Sequence, residues 1–446
     1  MKKLEVDKLM KNKKNYLALL PIGVFLLIYL GLGVTFEYFL NIEMGFYNVP
    51  IIVAFLVAIL VACLQNRKLS FDDKLSVMAK GVGDKNIITM ILIFMTAGIF
   101  VGVVGRSSAE SVAYCLLSII PAQYAVLVIF VVSAFVSIAM GTSVGTITLI
   151  TPIAIAISQS SGFDLALCVG SVVGGAMFGD NLSFISDTTI AACNGQGCAM
   201  KDKFRANFWI ALPAALATLV IIFVKTFNKE VVTVSNADYN LIQVIPYMLV
   251  LIGGIVGINV FVVLLIGIVS GSIIMLLTGS ITAVDLIGNM GIGAAGMFET
   301  TMVAILVAAL CALINEYGGF EALLNLIKKV FKGQRAGKLG MGLLVGAMDI
   351  ATANNTVAIV MANPIAKEMS QEYNISPKNA ASILDTFSCI FQGIIPYGAQ
   401  MLVAIATVNE LGLSISAFDV MPNLLYPYML LVSTLVFIFF SKNKNK

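Results

Sequence analysis

The 446-residue sequence has no histidine and a single tryptophan, and only 11% of its residues are Asp, Glu, Lys or Arg. Soluble domains carry about 25% charged residues, so this chain is not a soluble globule. Without histidine, the usual group that titrates near neutral pH is missing, and any proton chemistry falls to Asp or Glu, with Lys and Tyr as lesser choices. The seven cysteines are odd in number and scattered through apolar segments, which excludes a disulfide framework. With no His to complete a common zinc set, Cys193 and Cys198 in CNGQGC read as a small-residue turn. No P-loop is present, so this chain alone does not pump with ATP, and an enzyme is not expected. A channel is disfavoured by the lack of a short repeated filter and of an Arg-rich voltage sensor. The net charge of +3 gives no reason to expect nucleic acid as a partner, and nothing calls for a cofactor beyond ions that are carried or coupled.

What the sequence has instead is apolar length. Apolar residues make up 59% of it and the mean hydropathy is +0.98. Runs such as 126–140 and 249–277 are apolar on every face, whereas a β-barrel strand would alternate. The expected fold is an all-α polytopic membrane protein with roughly 10–12 spans. Spans are expected near 16–36, 47–64, 87–105, 123–141, 206–225, 241–256, 258–278, 292–314, 394–408 and 424–440. Basic residues collect at 2–14, 67–85, 328–338 and 442–446. The positive-inside rule puts these regions, and both termini, on the cytoplasmic side of the cell membrane, with 17–33 an uncleaved first helix.

Two stretches break the apolar pattern without leaving it. Segments 142–192 and 342–392 are peppered with Gly, Ser, Thr, Asn and Pro. At membrane depth such backbone is tolerated where protein buries it or a wet cavity borders it, so re-entrant hairpins and broken helices are expected. The stretches also resemble each other. At an offset of 212, the separation of Pro152 and Pro364, residues 151–160 repeat the Pro, Ile, Ala, Ser and Gln of 363–372. A polar turn precedes each match and a second break follows it: FGDNLSFISD in the first, FQGIIPYGAQ in the second. This order predicts two inverted repeats, 1–230 and 231–446, each with scaffold helices, a hairpin (142–158 and 342–366) and a broken helix (165–192 and 379–408).

Between Gly141 and Met200 there is no Lys, Arg or Glu, yet Asp180 and Asp187 lie there. A carboxylate at membrane depth needs a proton, a cation or a distant base to neutralise it. Asp180 and Asp187, with Asn181, Ser183, Ser186 and Thr188, form the expected site for Na⁺ or a proton, because Na⁺ is a hard cation that prefers oxygen ligands. Either aspartate can instead be read as a helix cap. Thr142, Ser143, Thr146, Asn354, Asn355, Thr356, Gln392 and Gln400 are the candidate substrate-binding residues, since half-helix N-termini can hold a carboxylate. Asp349, Asp385 and Glu299 are further intramembrane carboxylates, read as a relay; for Asp349 and Asp385 a paired buried charge is the alternative, and for Glu299 an interfacial position.

GDNLSFISDTT (179–189) and GTSVGT (141–146) resemble the signature of the NhaC family of Na⁺/H⁺ antiporters, with Phe184 where that family has Pro. The second-half motifs IPYGAQ and ATANNTVAIV look closer to a branch that moves amino acids. The resemblance implies paired inverted repeats, a homodimer in the lipid bilayer and elevator-like movement. The expected function is exchange of Na⁺ for H⁺ on intramembrane Asp carboxylates. The alternative is Na⁺- or H⁺-coupled transport of an amino acid or small organic acid.

Overall fold

A computed structural model describes residues 15–40, 49–184, 186–227, 239–256 and 258–440, and among these it contains helices and no strand. That is what lipid demands of a chain apolar on every face, since a helix satisfies its backbone hydrogen bonds internally. The basic clusters at residues 2–14 and 442–446, on which the expectation of cytoplasmic termini partly rests, lie outside the described residues.

In chain order the helices are α1 (Leu20–Val34), α2 (Ile51–Gln65), α3 (Phe71–Val82), α4 (Lys85–Ile119, kinked at Gly105), α5 (Ala125–Met140), α6 (Ser143–Ser161), α7 (Leu165–Leu182), α8 (Asp187–Gln196), α9 (Met200–Phe227) and α10 (Leu241–Val256). They continue with α11 (Val260–Leu277), α12 (Ala283–Gly296), α13 (Phe298–Glu316), α14 (Gly319–Val330), α15 (Gln334–Thr352), α16 (Asn355–Glu372), α17 (Pro377–Ile394), α18 (Ala399–Glu410), the single turn α19 (Ala417–Val420) and α20 (Leu425–Phe440). Among the described residues nine helical stretches are long and apolar enough to cross a membrane, or up to ten if the pair bent by 50° before α20 is one span.

One expected feature takes a different form. Where a hairpin within 142–158 is expected, the structure has a single helix, α6, running to Ser161 through Pro152. Its polar side chains do not unwind it because they bond back along it: Thr146 Oγ1 donates to Thr142 O at 2.9 Å and Thr148 Oγ1 to Val144 O at 3.0 Å. The break lies just before it, at left-handed Gly141 (φ 68°) and the cap Thr142, whose side chain accepts from Gly145 N. The segment 342–366 likewise contains two helices, α15 and α16, meeting at Ala353 (φ 47°) and the cap Asn354.

The breaks recur in register. Thr142 and Asn354 are 212 residues apart, and the same offset carries the bounds of α7 onto α17 and the first residue of α8 onto that of α18. Each half thus runs helix, capped break, helix, turn, helix, break, short helix. The two short arms cross over: α8 packs against α16 and α17 of the second half, and α18 against α6 of the first. Asn363 fastens one crossing, donating to Ala191 O at 2.9 Å and accepting from Gln196 Nε2 at 3.0 Å. Close packing of α5 on α7 depends on Gly175 and Gly179, where a Cβ would lie 2.2 and 2.3 Å from the carbonyl oxygens of Phe130 and Ala134. The buried apolar residues form two clusters, one centred on α4–α7 and the other on α1, α2, α13 and α15–α17.

Candidate functional site

The starts of α6, α8, α16 and α18 converge on a cavity of about 90 Å³. Its walls hold Thr142 and Ser143 from the first break of the first half, Asp180 from α7, and Ser186, Asp187 and Thr188 from the second break. From the second half come Asn354, Asn355, Thr356, Gln392 and Gln400, with Thr89, Met90 and Ile93 of α4 closing one side. The convergence follows from the breaks: each ends a helix and turns its polar cap toward the cavity, where the other half places a cap at the matching position.

Asp180 is the buried carboxylate of this cavity, 6% exposed. Its Oδ2 accepts from Ser143 Oγ at 2.7 Å and its Oδ1 from Ser186 Oγ at 2.5 Å. No ion pair to Asp180 is found among the described residues. Ser143 in turn accepts from Gln400 Nε2 at 3.0 Å, and Gln400 Oε1 accepts from Gln392 Nε2 at 2.9 Å. Gln392 also donates to Ala353 O at 2.9 Å, while its Oε1 is buried without a partner. A chain of donors therefore runs from Gln392 in the second half through Gln400 and Ser143 to the carboxyl of Asp180 in the first. Asp187 is the exposed first residue of α8, also on the cavity wall, with Ser186 preceding it as the cap.

Three of the residues expected to bind ion or substrate lie elsewhere. Asn181, one place past Asp180, faces α9: its backbone oxygen accepts from Lys203 Nζ at 2.7 Å and its Oδ1 from Asn207 Nδ2 at 2.6 Å. Ser183 donates to Ile138 O at 2.7 Å, and Thr146 to Thr142 O within its own helix. Asp385 is the paired buried charge, not a free carboxylate: Lys203 bonds it directly, with both side chains nearly inaccessible. Helix geometry explains the split, since one helix face meets the cavity and the adjacent residue points away from it.

Lys203, Asn207 and Ser388 were not singled out from the sequence. Asn207 accepts from Ser382 Oγ at 3.0 Å and Thr386 Oγ1 at 2.7 Å, so α9 and α17 are joined by a polar ladder below the cavity. The signal was an Asn inside the apolar run 206–225, one helical turn past a Lys.

Glu299 lines a different, larger cavity of about 370 Å³ together with Tyr29, Asn409 and Ser416. A narrow cavity of about 10 Å³ shares Thr300 and Leu402 with it, and shares Met90, Ala353, Asn354 and Ala399 with the cavity at Asp180. Asp349 lines none of the three cavities; it is fully buried between α15 and α17.

A family model described as the Na⁺/H⁺ antiporter family matches residues 15–229 and again 224–441. The Na⁺/H⁺ antiporter NhaC of Alkalihalophilus pseudofirmus is 22% identical over 460 residues, covering 94% of each chain. The NhaC of Bacillus subtilis is 23% identical over 432 residues, 88% of this chain and 92% of that protein. The malate-2H⁺/Na⁺-lactate antiporter of Bacillus subtilis is 28% identical over 211 residues, 47% of this chain and 44% of that protein, so the match spans less than half its length.

Proposed function

The chain belongs to the Na⁺/H⁺ antiporter family, and on that premise we propose that it exchanges Na⁺ for H⁺ across the cytoplasmic membrane, with Asp180 as the group that takes either ion. The observation that carries this reading is Asp180 itself: buried, held by two hydroxyls, facing a cavity, and paired with no basic side chain among the described residues while Lys203 is spent on Asp385. A carboxylate so placed is tolerable when a cation or a proton occupies it, and the two exclude each other on one group. Ser186, Thr188, Gln392 and Asp187 offer further oxygens for Na⁺ from the same walls. The equal spacing of the breaks and the double match to one family model support two repeats, which we take to lie inverted in the membrane, in a homodimer with cytoplasmic termini.

A second reading has its own observation. The amides of Asn354, Asn355, Gln392 and Gln400 and the helix starts around them could anchor a small carboxylate or amino acid, and the cavity has room for more than a water-sized occupant. One relative is named as exchanging malate and lactate. Proteoliposomes with an imposed Na⁺ gradient and a reporter of internal pH separate the readings. Na⁺-driven pH change without organic solute is the expected result; strict dependence on a solute from a panel of amino acids and organic acids would replace ion exchange with coupled solute transport.

A further inference from the structure

Asp349 is 0% exposed, yet it has no cationic partner among the described residues. Its Oδ1 accepts from Ser388 Oγ at 3.1 Å, and its Oδ2 is buried with no hydrogen-bond partner. Of the other buried aspartates, Asp385 is bonded by Lys203 and Asp180 is held by hydroxyls at a cavity; among the described residues Glu410, partly buried at the end of α18, also has carboxyl oxygens without a partner, but Asp349 is the fully buried case inside the helix bundle. At the position of Asp349 in the first half, 212 residues earlier, stands Ser137, whose hydroxyl donates to Ala176 O at 2.6 Å. The repeat therefore makes this helix contact with a neutral hydroxyl in one half and a carboxyl in the other.

We infer that Asp349 is a second ion site, dedicated to the proton and separate from the Na⁺ site at Asp180. This rests on the exchange reading above and refines one part of it: Asp180 keeps Na⁺, and the coupled proton, which that reading put on the same carboxyl, is carried by Asp349. Na⁺ needs several oxygens and space, and Asp349 borders none of the three cavities; a proton needs neither. Loading it satisfies the orphan oxygen's environment without a counter-charge. Two contacts place Asp349 beside the cavity wall, one through its backbone and one through its partner Ser388. Ala353 N donates to Asp349 O at 2.7 Å, which closes the last turn before the break, and Ser388 Oγ lies 3.5 Å from Asn355 O on the cavity wall. The titratable groups that face Asp349 are Asp385 and Cys389 on α17 and Tyr397 at the second break, with Lys203 behind Asp385.

The test is Asp349→Asn, an isostere of the protonated acid, in proteoliposomes with two readouts. Sodium-22 counterflow at equal pH on both sides is expected within roughly twofold of the unsubstituted protein, while Na⁺-driven pH change falls roughly tenfold or more. Retention of both activities, or loss of both in folded protein, overturns the inference. If Asp349→Asn does not fold, Ser388→Ala decides: it removes the donor to Asp349 together with a long contact to the uncharged Asn355 O, and a displaced pH profile of exchange supports the site, an unchanged one refutes it. If the unsubstituted protein shows no Na⁺-driven pH change, the exchange reading has failed. Infrared spectroscopy then still judges Asp349, whose protonated-carboxyl stretch must be present in the unsubstituted protein and absent from Asp349→Asn.

Discussion

Two buried aspartates on neighbouring helices have opposite fates, and the difference is one lysine. Asp385 is joined to Lys203, while Asp180 meets only hydroxyls. For Asp180→Asn the expected outcome is folded protein whose Na⁺-driven pH change falls roughly a hundredfold, because a charge-assisted contact worth about 3 kcal/mol becomes a neutral one. Transport at the unsubstituted rate would remove Asp180 from the mechanism. Lys203→Met leaves a carboxylate buried without its partner and is expected to destabilise by about 3–5 kcal/mol, whereas the double change Lys203→Met with Asp385→Leu is expected to recover most of that loss. Thermal unfolding in detergent measures both. Asp180 was legible because a long stretch without any base surrounds it. The fate of Asp385 was not, because its partner is 182 residues away in the chain and only the folded packing of α9 on α17 joins them.

At the scale of elements, breaks proved easier to place than helices. The sequence pattern put a polar turn ahead of each proline match and a second break after it, and helices end within these stretches. The helical character of 143–161 was hidden by its hydroxyls, which look like unwinding signals but are satisfied along the helix. Thr142 and Asn354 each cap a helix at these breaks, so Thr142→Ala and Asn354→Ala are each expected to cost about 1 kcal/mol, visible as a lowered melting temperature. Gly179→Leu is a harsher test. The side chain would enter the Ala134 carbonyl, and about 3 kcal/mol or more of destabilisation is expected from forcing α5 and α7 apart. A Gly179→Leu protein as stable as its parent would show that the two helices do not pack this tightly.

For the whole molecule, the ten-residue match around two prolines has an offset of 212, and the breaks on both sides of the cavity recur at that same spacing. What the repeat did not reveal is how its copies engage. The short arms α8 and α18 each lie against the opposite copy, and Asn363 ties one of them in place. Sequence identity between the halves says nothing about such exchange, because the contacts are made across the seam and not within a repeat. Coexpression of two fragments divided between Phe227 and Tyr239 is expected to restore transport, and either fragment alone to be degraded; stable accumulation of a lone half would contradict the crossing.

A molecule knitted in this way has no loose half to melt first. Heat or denaturant must undo both copies together, so unfolding should register as a single event by every probe, and damage to one arm should be felt as weakness in the other.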